Sequence, residues 1–319
     1  VSSIVVVFTP SPPFIRQARL PGVTRRAVAV MGIGLVDPDD TVVAADDLGL
    51  TRGDGCFEAT RVVTSLDSDR RNTHRIDHLG DHLRRLQASA AALDLPDVDV
   101  EGWQDLIGEI LFGWDCVGEA ILRLMLTRGR ESLPTAPRTP TLPVTGIATL
   151  TQLSETTLRQ RREGVSAITL SRGTASDAYL DAPWLLGGVK TLSYAVNIAA
   201  GRFALKRGAD DVIFTSSDDF VLEGPTSAVV WRESGQLYTT PTKGTGILDS
   251  ITQRSLFAAA GEVGWSTGYR LGTVSELAAA DGVWLVSSGR GAAQVHTLNG
   301  RRLRTSRELT TQIQTLAGF

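Results

Sequence analysis

From about residue 27 the chain alternates two kinds of text: short apolar runs, and longer stretches in which apolar residues recur every three or four positions. RAVAVMGIGLVD (26–37) and TVVAADDLGL (41–50) predict a hairpin, and CFEATRVV (56–63) predicts a further strand. In the stretch 74–94, Leu79, Leu83, Leu86, Ala90 and Leu93 fall on one face of a predicted helix. WQDLIGEILFGW (103–114) predicts a second helix and EAILRLMLTRG (119–129) a strand. The four prolines of SLPTAPRTPTLPVTG (132–146) dictate a loop. Beyond it lie strands VTGIATL (144–150) and VSAITLS (165–171), separated by a polar joint. The remainder predicts a helix at 194–207, strand DVIFTS (211–216), a tight turn, strands FVLE (220–223), SAVVW (227–231) and LYTT (237–240), then helices at 251–261 and 273–280. Strand GVWLVSS (282–288) and a last helix complete the pattern.

Because helices alternate with pairs of strands rather than single ones, the fold class is α+β (mixed α/β). The expected organisation is an N-terminal extension at 1–26, a small α/β domain at 27–152, an interdomain linker at 153–164 and a larger mixed-sheet domain at 165–319. The apolar run at the very start lacks a basic region before it and meets prolines soon after, so it reads as a loose extension. No apolar run reaches the roughly 20 residues that span a bilayer.

Composition narrows the chemistry. A net charge of −3 with no basic stripe argues against nucleic acid. The two cysteines, Cys56 and Cys116, have neither metal nor disulfide spacing, which suits a reducing cytoplasm. Of the 32 cationic Lys and Arg residues only three are lysines: Lys190, Lys206 and Lys243. Lys206 ends a predicted helix, where a cation complements the helix dipole, and Lys243 sits in a polar loop. Lys190, in LLGGVKTLSY, has an apolar and weakly polar setting of the kind that makes an amine a nucleophile toward an aldehyde; the plain alternative is a snorkelling lysine.

A Schiff-base lysine serving a pyridoxal cofactor needs a carboxylate for the ring nitrogen and a phosphate cradle. Glu223, at the end of an apolar strand and before Gly224, is a candidate for the first. For the second, a Gly-rich turn enters a helix at Ser250, Ile251 and Thr252, and LVSSGRG offers Ser288 and Gly289. Arg85, beside the apolar stripe of the helix over 74–94, could pair bidentately with a phosphate. The same helix carries His74, His78 and His82 at four-residue steps, a possible metal row; in a straight helix it would span about 12 Å, too far for one ion.

Taken together these segments resemble the class IV aminotransferase family, the fold-type IV pyridoxal-phosphate enzymes. DDLGLTRGDGCFEATRV is similar to that family's D-x-G-x-x-x-G-D-G-x-F-E motif, and HLRRLQASAAAL to its H-x-x-R-L-x-x-S-A helix. VKTLSYAVN resembles the lysine segment, GADDVIFTSSDDFVLEGPTSAVV the block ending E-G-x-x-S-N with Ala228 in place of Asn, and GILDSIT the phosphate loop with Ser250 in place of Gly. The resemblance implies a two-domain fold, pyridoxal 5′-phosphate as cofactor, a homodimer, Lys190 as the Schiff-base residue and Glu223 as partner of the pyridine nitrogen. It also implies Arg85, Ser250, Ile251, Thr252, Ser288 and Gly289 as phosphate ligands, no metal, and a small-molecule primary amine as substrate.

Within the family, TRGRESLP lacks the Arg-x-His carboxylate trap of the D-amino-acid transaminases, and Arg123 stands where lyases and branched-chain enzymes both carry a cation for substrate. The favoured expectation is 4-amino-4-deoxychorismate lyase, releasing pyruvate and 4-aminobenzoate for folate synthesis. An aminotransferase of branched-chain, D- or other amino acids is the alternative, and a metal-binding protein using the histidine row a remote one.

Overall fold

A computed structural model describes residues 4–7, 25–131 and 144–319, so most of the expected loop at 132–146 lies outside the described residues. The chain divides into two units, Val1–Ser154 with Val189–Ser193, and Glu155–Gly188 with Tyr194–Phe319. The lysine strip therefore groups with the first unit although its neighbours in sequence belong to the second.

The first unit contains β1 (Ile4–Val7), β2 (Arg26–Val30), β3 (Gly34–Val36), α1 (Leu48–Arg52), β4 (Gly55–Leu66), β5 (Asn72–Ile76), α2 (Leu79–Ala92), α3 (Val100–Phe112), β6 (Gly118–Thr127) and β7 (Thr145–Gln152). Its seven strands form one antiparallel sheet in the order β1-β5-β4-β6-β7-β2-β3. Side chains alternate across a strand. One face accordingly carries Val62, Ile76, Leu122, Leu124, Leu126, Ala148 and Leu150, which pack with Leu83 and Leu86 of α2 and Trp103, Ile107 and Ile110 of α3. The opposite face carries Phe57, Ala59, Arg61, Arg123, Met125 and Thr149.

The second unit contains α4 (Glu155–Glu163), β8 (Val165–Ser171), α5 (Ala195–Lys206), β9 (Asp211–Thr215), β10 (Ala228–Glu233), β11 (Gln236–Thr239), α6 (Ile251–Glu262), β12 (Thr267–Tyr269), α7 (Val274–Ala279), β13 (Gly282–Ser287), β14 (Gly291–Leu298), β15 (Arg301–Arg302) and α8 (Arg307–Leu316). Its sheet runs β12-β11-β10-β13-β14-β8-β9, with β15 beside β14. The pairs β11–β12, β8–β14 and β8–β9 are parallel and the rest antiparallel. Strands β9 and β13 are buried without alternation because clusters cover both faces: Trp284 and Val286 pack with Leu256 and Ile313 while Val283 and Leu285 pack with Leu277, and in β9 Ile213 joins one cluster while Val212 and Phe214 join another.

Several expectations need correction. The predicted hairpin forms inside 26–37, as β2 and β3; its expected partner 41–50 is irregular until α1 begins, because Asp47 caps that helix instead of extending a strand. Residues 4–7 of the expected loose extension pair with β5. The helix over 74–94 starts only at Leu79, since His74 and Ile76 lie in β5 and His78 has a left-handed backbone (φ 50°). The joint at 153–164 is helical as α4. FVLE makes only isolated bridges, to Thr215, Thr273 and Ala228.

Asp47 shows how a short helix is fixed next to the lysine strip. Fully buried, it accepts from the Gly49 N–H (2.8 Å) and from the hydroxyls of Thr127 (3.0 Å) and Thr145 (2.7 Å). Its removal orphans three donors. Asp47→Ala is expected to cost about 2 kcal/mol and to lower the thermal midpoint; an unchanged midpoint would contradict this account.

Candidate active site

In β4 the inward positions run Cys56, Glu58, Thr60, Val62, Thr64, so an acid occupies a core slot. A buried carboxylate is costly unless paired. Two residues of α2, one turn apart, pair it. Arg85 donates from Nε to Glu58 Oε1 (2.7 Å) and from Nη2 to Oε2 (2.8 Å), and His82 Nδ1 meets Oε2 at 2.6 Å. Burial alone would raise the Glu58 carboxyl, but these bonds outweigh it and hold the group at about 2. Burial pushes the His82 imidazole down against the pull of Glu58, so a neutral ring donates from Nδ1 and Arg85 supplies the charge. Cys56, next in the inward row, has its thiol pushed up to about 12 by burial and then by Glu58, which makes it an inert apolar filler.

The strip 190–192 runs antiparallel beside the start of β4. Phe57 N–H donates to the Lys190 carbonyl (3.0 Å), Leu192 N–H to the Gly55 carbonyl (2.8 Å), and Thr191 bridges Cys56. Lys190 N–H donates to Ser89 Oγ (3.3 Å), one helical turn beyond Arg85. The glycines before Phe57 permit this approach. A Cβ at Gly53, which is also left-handed (φ 70°), would lie 2.4 Å from Ser193 Oγ; one at Gly55 would lie 2.5 Å from the Leu126 carbonyl oxygen and 2.7 Å from Leu192 Cδ1.

The side chain of half-buried Lys190 crosses to the outer face of the sheet, its Nζ 4.4 Å from the Phe57 ring centroid. On that face Arg123 lies opposite Ala59, and Met125 opposite Phe57. Arg123 is thus a diagonal neighbour of Phe57, about 7–8 Å away between backbones, and its side chain is exposed. The first unit therefore brings the Lys190 amine and the Arg123 guanidinium to one face of the sheet, while Arg85 lies on the other face against Glu58.

The second unit holds the other expected residues. Glu223 Oε1 accepts from Arg172 Nη1 (3.0 Å) and Oε2 from the Leu248 N–H (3.1 Å). Its backbone is fixed by the bond from Phe214 N–H to its carbonyl (2.8 Å) and by the Ala228 bridge. The bridge is made by backbone, so Ala in place of the family's Asn at 228 leaves it intact. A carboxylate has about four acceptor positions, so two donors are compatible with a third. At the start of α6, Ser250 Oγ caps the Gln253 N–H, leaving Ile251 and Thr252 in the first turn, where N–H groups attract anions. Thr252 Oγ1 lies 3.0 Å from Ser288 Oγ, which joins this helix start to the Ser288–Gly289 turn between β13 and β14. An amine, a carboxylate and a cradle of hydroxyls and helix-start N–H groups are the three chemistries that pyridoxal 5′-phosphate requires, and the donor set fits it.

The histidine row dissolves. His74 bonds Thr64 from a strand (3.0 Å), His78 precedes α2, and His82 serves Glu58. Among the described residues no group of three His, Cys, Asp or Glu side chains could hold a metal, and no helix is long and apolar enough to cross a membrane. Arg85, expected to clasp phosphate with two parallel bonds, gives its Nε–Nη2 edge to Glu58 instead. Glu58, Ser89, Phe57 and Arg172 carry parts of the arrangement that were not foreseen. Glu58 had a signal, an acid at an inward position of a strand; Arg172 had none.

Residues 55–298 match the family profile of amino-transferase class IV. A bifunctional aminodeoxychorismate lyase / D-amino acid transaminase of Mycobacterium tuberculosis is 39% identical over 279 residues, covering 84% of this chain and 90% of that protein. Among solved structures, the PLP-bound form of a hypothetical aminotransferase from Mycobacterium tuberculosis is 38% identical, with a TM-score of 0.81, covering 91% of this chain and 98% of its own. A fold IV transaminase from Curtobacterium pusillum is 36% identical, with a TM-score of 0.80, covering 92% of this chain and 100% of its own.

The Glu58 clamp makes a pH-dependent prediction. Its carboxyl is held below its ordinary value of 4.5, at about 2, so its contribution is complete above about pH 5 and fades as pH falls from 4.5 toward 2. Glu58→Gln is expected to cost about 3–5 kcal/mol near neutral pH. Denaturation curves of the two proteins should converge on acidification; a gap independent of pH would refute the ionised clamp.

Proposed function

We propose that this chain, which belongs to the class IV aminotransferase family, is an aminodeoxychorismate lyase. Membership makes it a pyridoxal-phosphate-dependent enzyme with a fold of type IV. When bound, the cofactor supplies an aldehyde that takes up amines and a ring that accepts the electron pair left at the substrate carbon.

The chain's own groups divide the remaining work. Lys190 Nζ would hold the cofactor and, when free of it, would move a proton at the substrate carbon. Phe57, beneath Nζ, limits where the amine can go. Glu223 keeps the ring nitrogen protonated, and its bonds from Arg172 and Leu248 fix the carboxylate in place. Ser250, Ile251, Thr252, Ser288 and Gly289 hold the phosphate, with Arg85 adding positive charge. Arg123 takes a substrate carboxylate on the face that carries Nζ.

The observation that carries the lyase reading is which arginines are already engaged. Arg128, of the T-R-G sequence, is held by Asp54 (2.5 Å) and by the carbonyls of Leu93 (2.6 Å) and Asp94 (3.1 Å) at the end of α2, and Arg130 by Asp46 (2.9 Å). Neither is disposed as the carboxylate trap of a D-amino-acid transaminase, which weighs against that activity; Arg123, in the place lyases and branched-chain enzymes share, is assigned the substrate carboxylate. A second reading, transamination of D-amino acids, is favoured by the bifunctional 39%-identical relative and by a D-alanine aminotransferase of Staphylococcus epidermidis that is 26% identical over 289 residues. A homodimer is supported by α5, whose Val196, Ile198, Phe203 and Leu205 are 64%, 49%, 41% and 66% exposed, an apolar surface that a second copy would cover.

Pyruvate release from 4-amino-4-deoxychorismate without a keto-acid acceptor is the expected activity. In Lys190→Ala it should fall by at least about 10²-fold while the fold is retained. Turnover of D-alanine with 2-oxoglutarate and no pyruvate in the first assay would install the transaminase reading instead. Light scattering should give twice the chain mass, and Leu205→Glu should shift it toward one; a monomeric parent protein would remove the dimer.

A further inference from the structure

The helix α4 has no buried residue and no apolar stripe. A helix that is polar all round is positioned by polar contacts rather than by burial, and those of α4 converge on one place. Arg161 donates from Nε to the Arg290 carbonyl (2.9 Å) and from Nη2 to the Gly289 carbonyl (2.9 Å). The preceding residue, Gln160, accepts from Arg290 Nη1 (3.3 Å), while Arg290 Nη2 donates to buried Asp211 (2.6 Å). The Arg161 guanidinium also stands 4.7 Å from the Phe319 ring centroid, and Gln314 of α8 donates to the Arg161 carbonyl (2.7 Å). Gly291, left-handed at φ 74°, has no Cβ, which here would lie 2.9 Å from the Phe319 ring.

We propose that Arg161 is a positioning residue for the cofactor phosphate, acting through the backbone of the Ser288–Arg290 turn. The inference rests on the reading that Ser288 and Gly289 hold the phosphate. In a trans peptide the carbonyl and the N–H point in opposite directions. By fixing the carbonyls of two consecutive peptides from the side of α4, the fork of Arg161 sets the orientation of the whole turn. The N–H groups of those two peptides belong to Arg290, whose N–H turns to Ser287 Oγ (3.4 Å), and to Gly291, which pairs with Ser287 in the sheet; the turn is clamped on its far side, which sets where Ser288 Oγ lies against Thr252. A lysine at this place, a single point charge, could not hold two carbonyls in one plane. The second unit's share of the phosphate site is thus made of neutral groups whose geometry is imposed by a cation behind them.

The test compares binding of pyridoxal 5′-phosphate with binding of pyridoxal, which lacks the phosphate, by titrating the cofactor-stripped full chain and following the visible absorbance of the bound aldehyde. Arg161→Gln is expected to weaken pyridoxal 5′-phosphate about tenfold, near 1.4 kcal/mol, and to leave pyridoxal within about twofold. Arg161→Lys, which keeps the charge, should behave like Arg161→Gln. Equal weakening of both ligands would mean a general structural defect, and full recovery in Arg161→Lys would mean charge alone; either overturns the inference. Ser288→Ala separates the two layers. If it abolishes the preference for the phosphorylated ligand while Arg161→Gln does not, the turn stands and the Arg161 inference falls. If Ser288→Ala leaves the preference intact, the turn does not hold phosphate, and both fall.

Discussion

A carboxylate inside a sheet must be paired, and in the first unit the pairing of Glu58 organises what surrounds it. Leaving such a charge unpartnered would cost several kcal/mol, so α2 must present both Arg85 and His82 to β4. Those two residues are three positions apart, which fixes the rotation of the helix about its axis. With the rotation fixed, Leu83 and Leu86 enter the core and Ser89 meets the N–H of Lys190. The polar constraint and the apolar one agree, so the helix has one place to sit. Lys190 inherits that placement through its own backbone.

The two units use charge differently. In the first, cations are numerous and most have an acidic partner: Arg85 on Glu58, Arg61 on Asp77 and Glu119, Arg128 on Asp54. Arg123, exposed on the face of Phe57, stands apart from these pairs and carries the substrate role proposed above. In the second, the groups assigned to phosphate are neutral, a helix start and hydroxyls, while the nearby cations Arg161 and Arg290 are turned to carbonyls and to Asp211. Arg172 pairs with a carboxylate of the proposed site itself. Its bond to Glu223 holds a carboxylate that the proposed mechanism needs in ionised form.

Much of the fold was legible in the sequence because most of its long elements obey one period. The stripe of Leu79, Leu83, Leu86 and Ala90 and the apolar run of β13 identified themselves. What failed was local. Residues 74–78 carry helical spacing, yet β-pairing of His74 with Thr64 prevails there, and a left-handed His78 starts the helix late. Residues 41–50 look like a strand, yet Asp47 finds three donors as a helix cap. At the site, motif spacing singled out Lys190, Glu223 and Arg85 but not their partners, because Glu58, Ser89 and Arg172 acquire meaning only from what folding brings beside them. Arg85 shows the limit most clearly: its residue type suggested a bidentate anion partner, and it has one, but that partner is a carboxylate of the same chain.

The strip Val189–Ser193 follows the second unit's Gly188 and precedes its Tyr194, yet it is stitched by main-chain bonds to the edge of β4. Its fit depends on Gly53 and Gly55, far earlier in the sequence. The two units therefore cannot diverge independently. Any exchange of the second unit by recombination would import a foreign lysine strip, and a bulkier residue there, or a side chain at either glycine, would push it off the strand. The apparent modularity of the chain ends at these five residues, which tie the history of one half to that of the other.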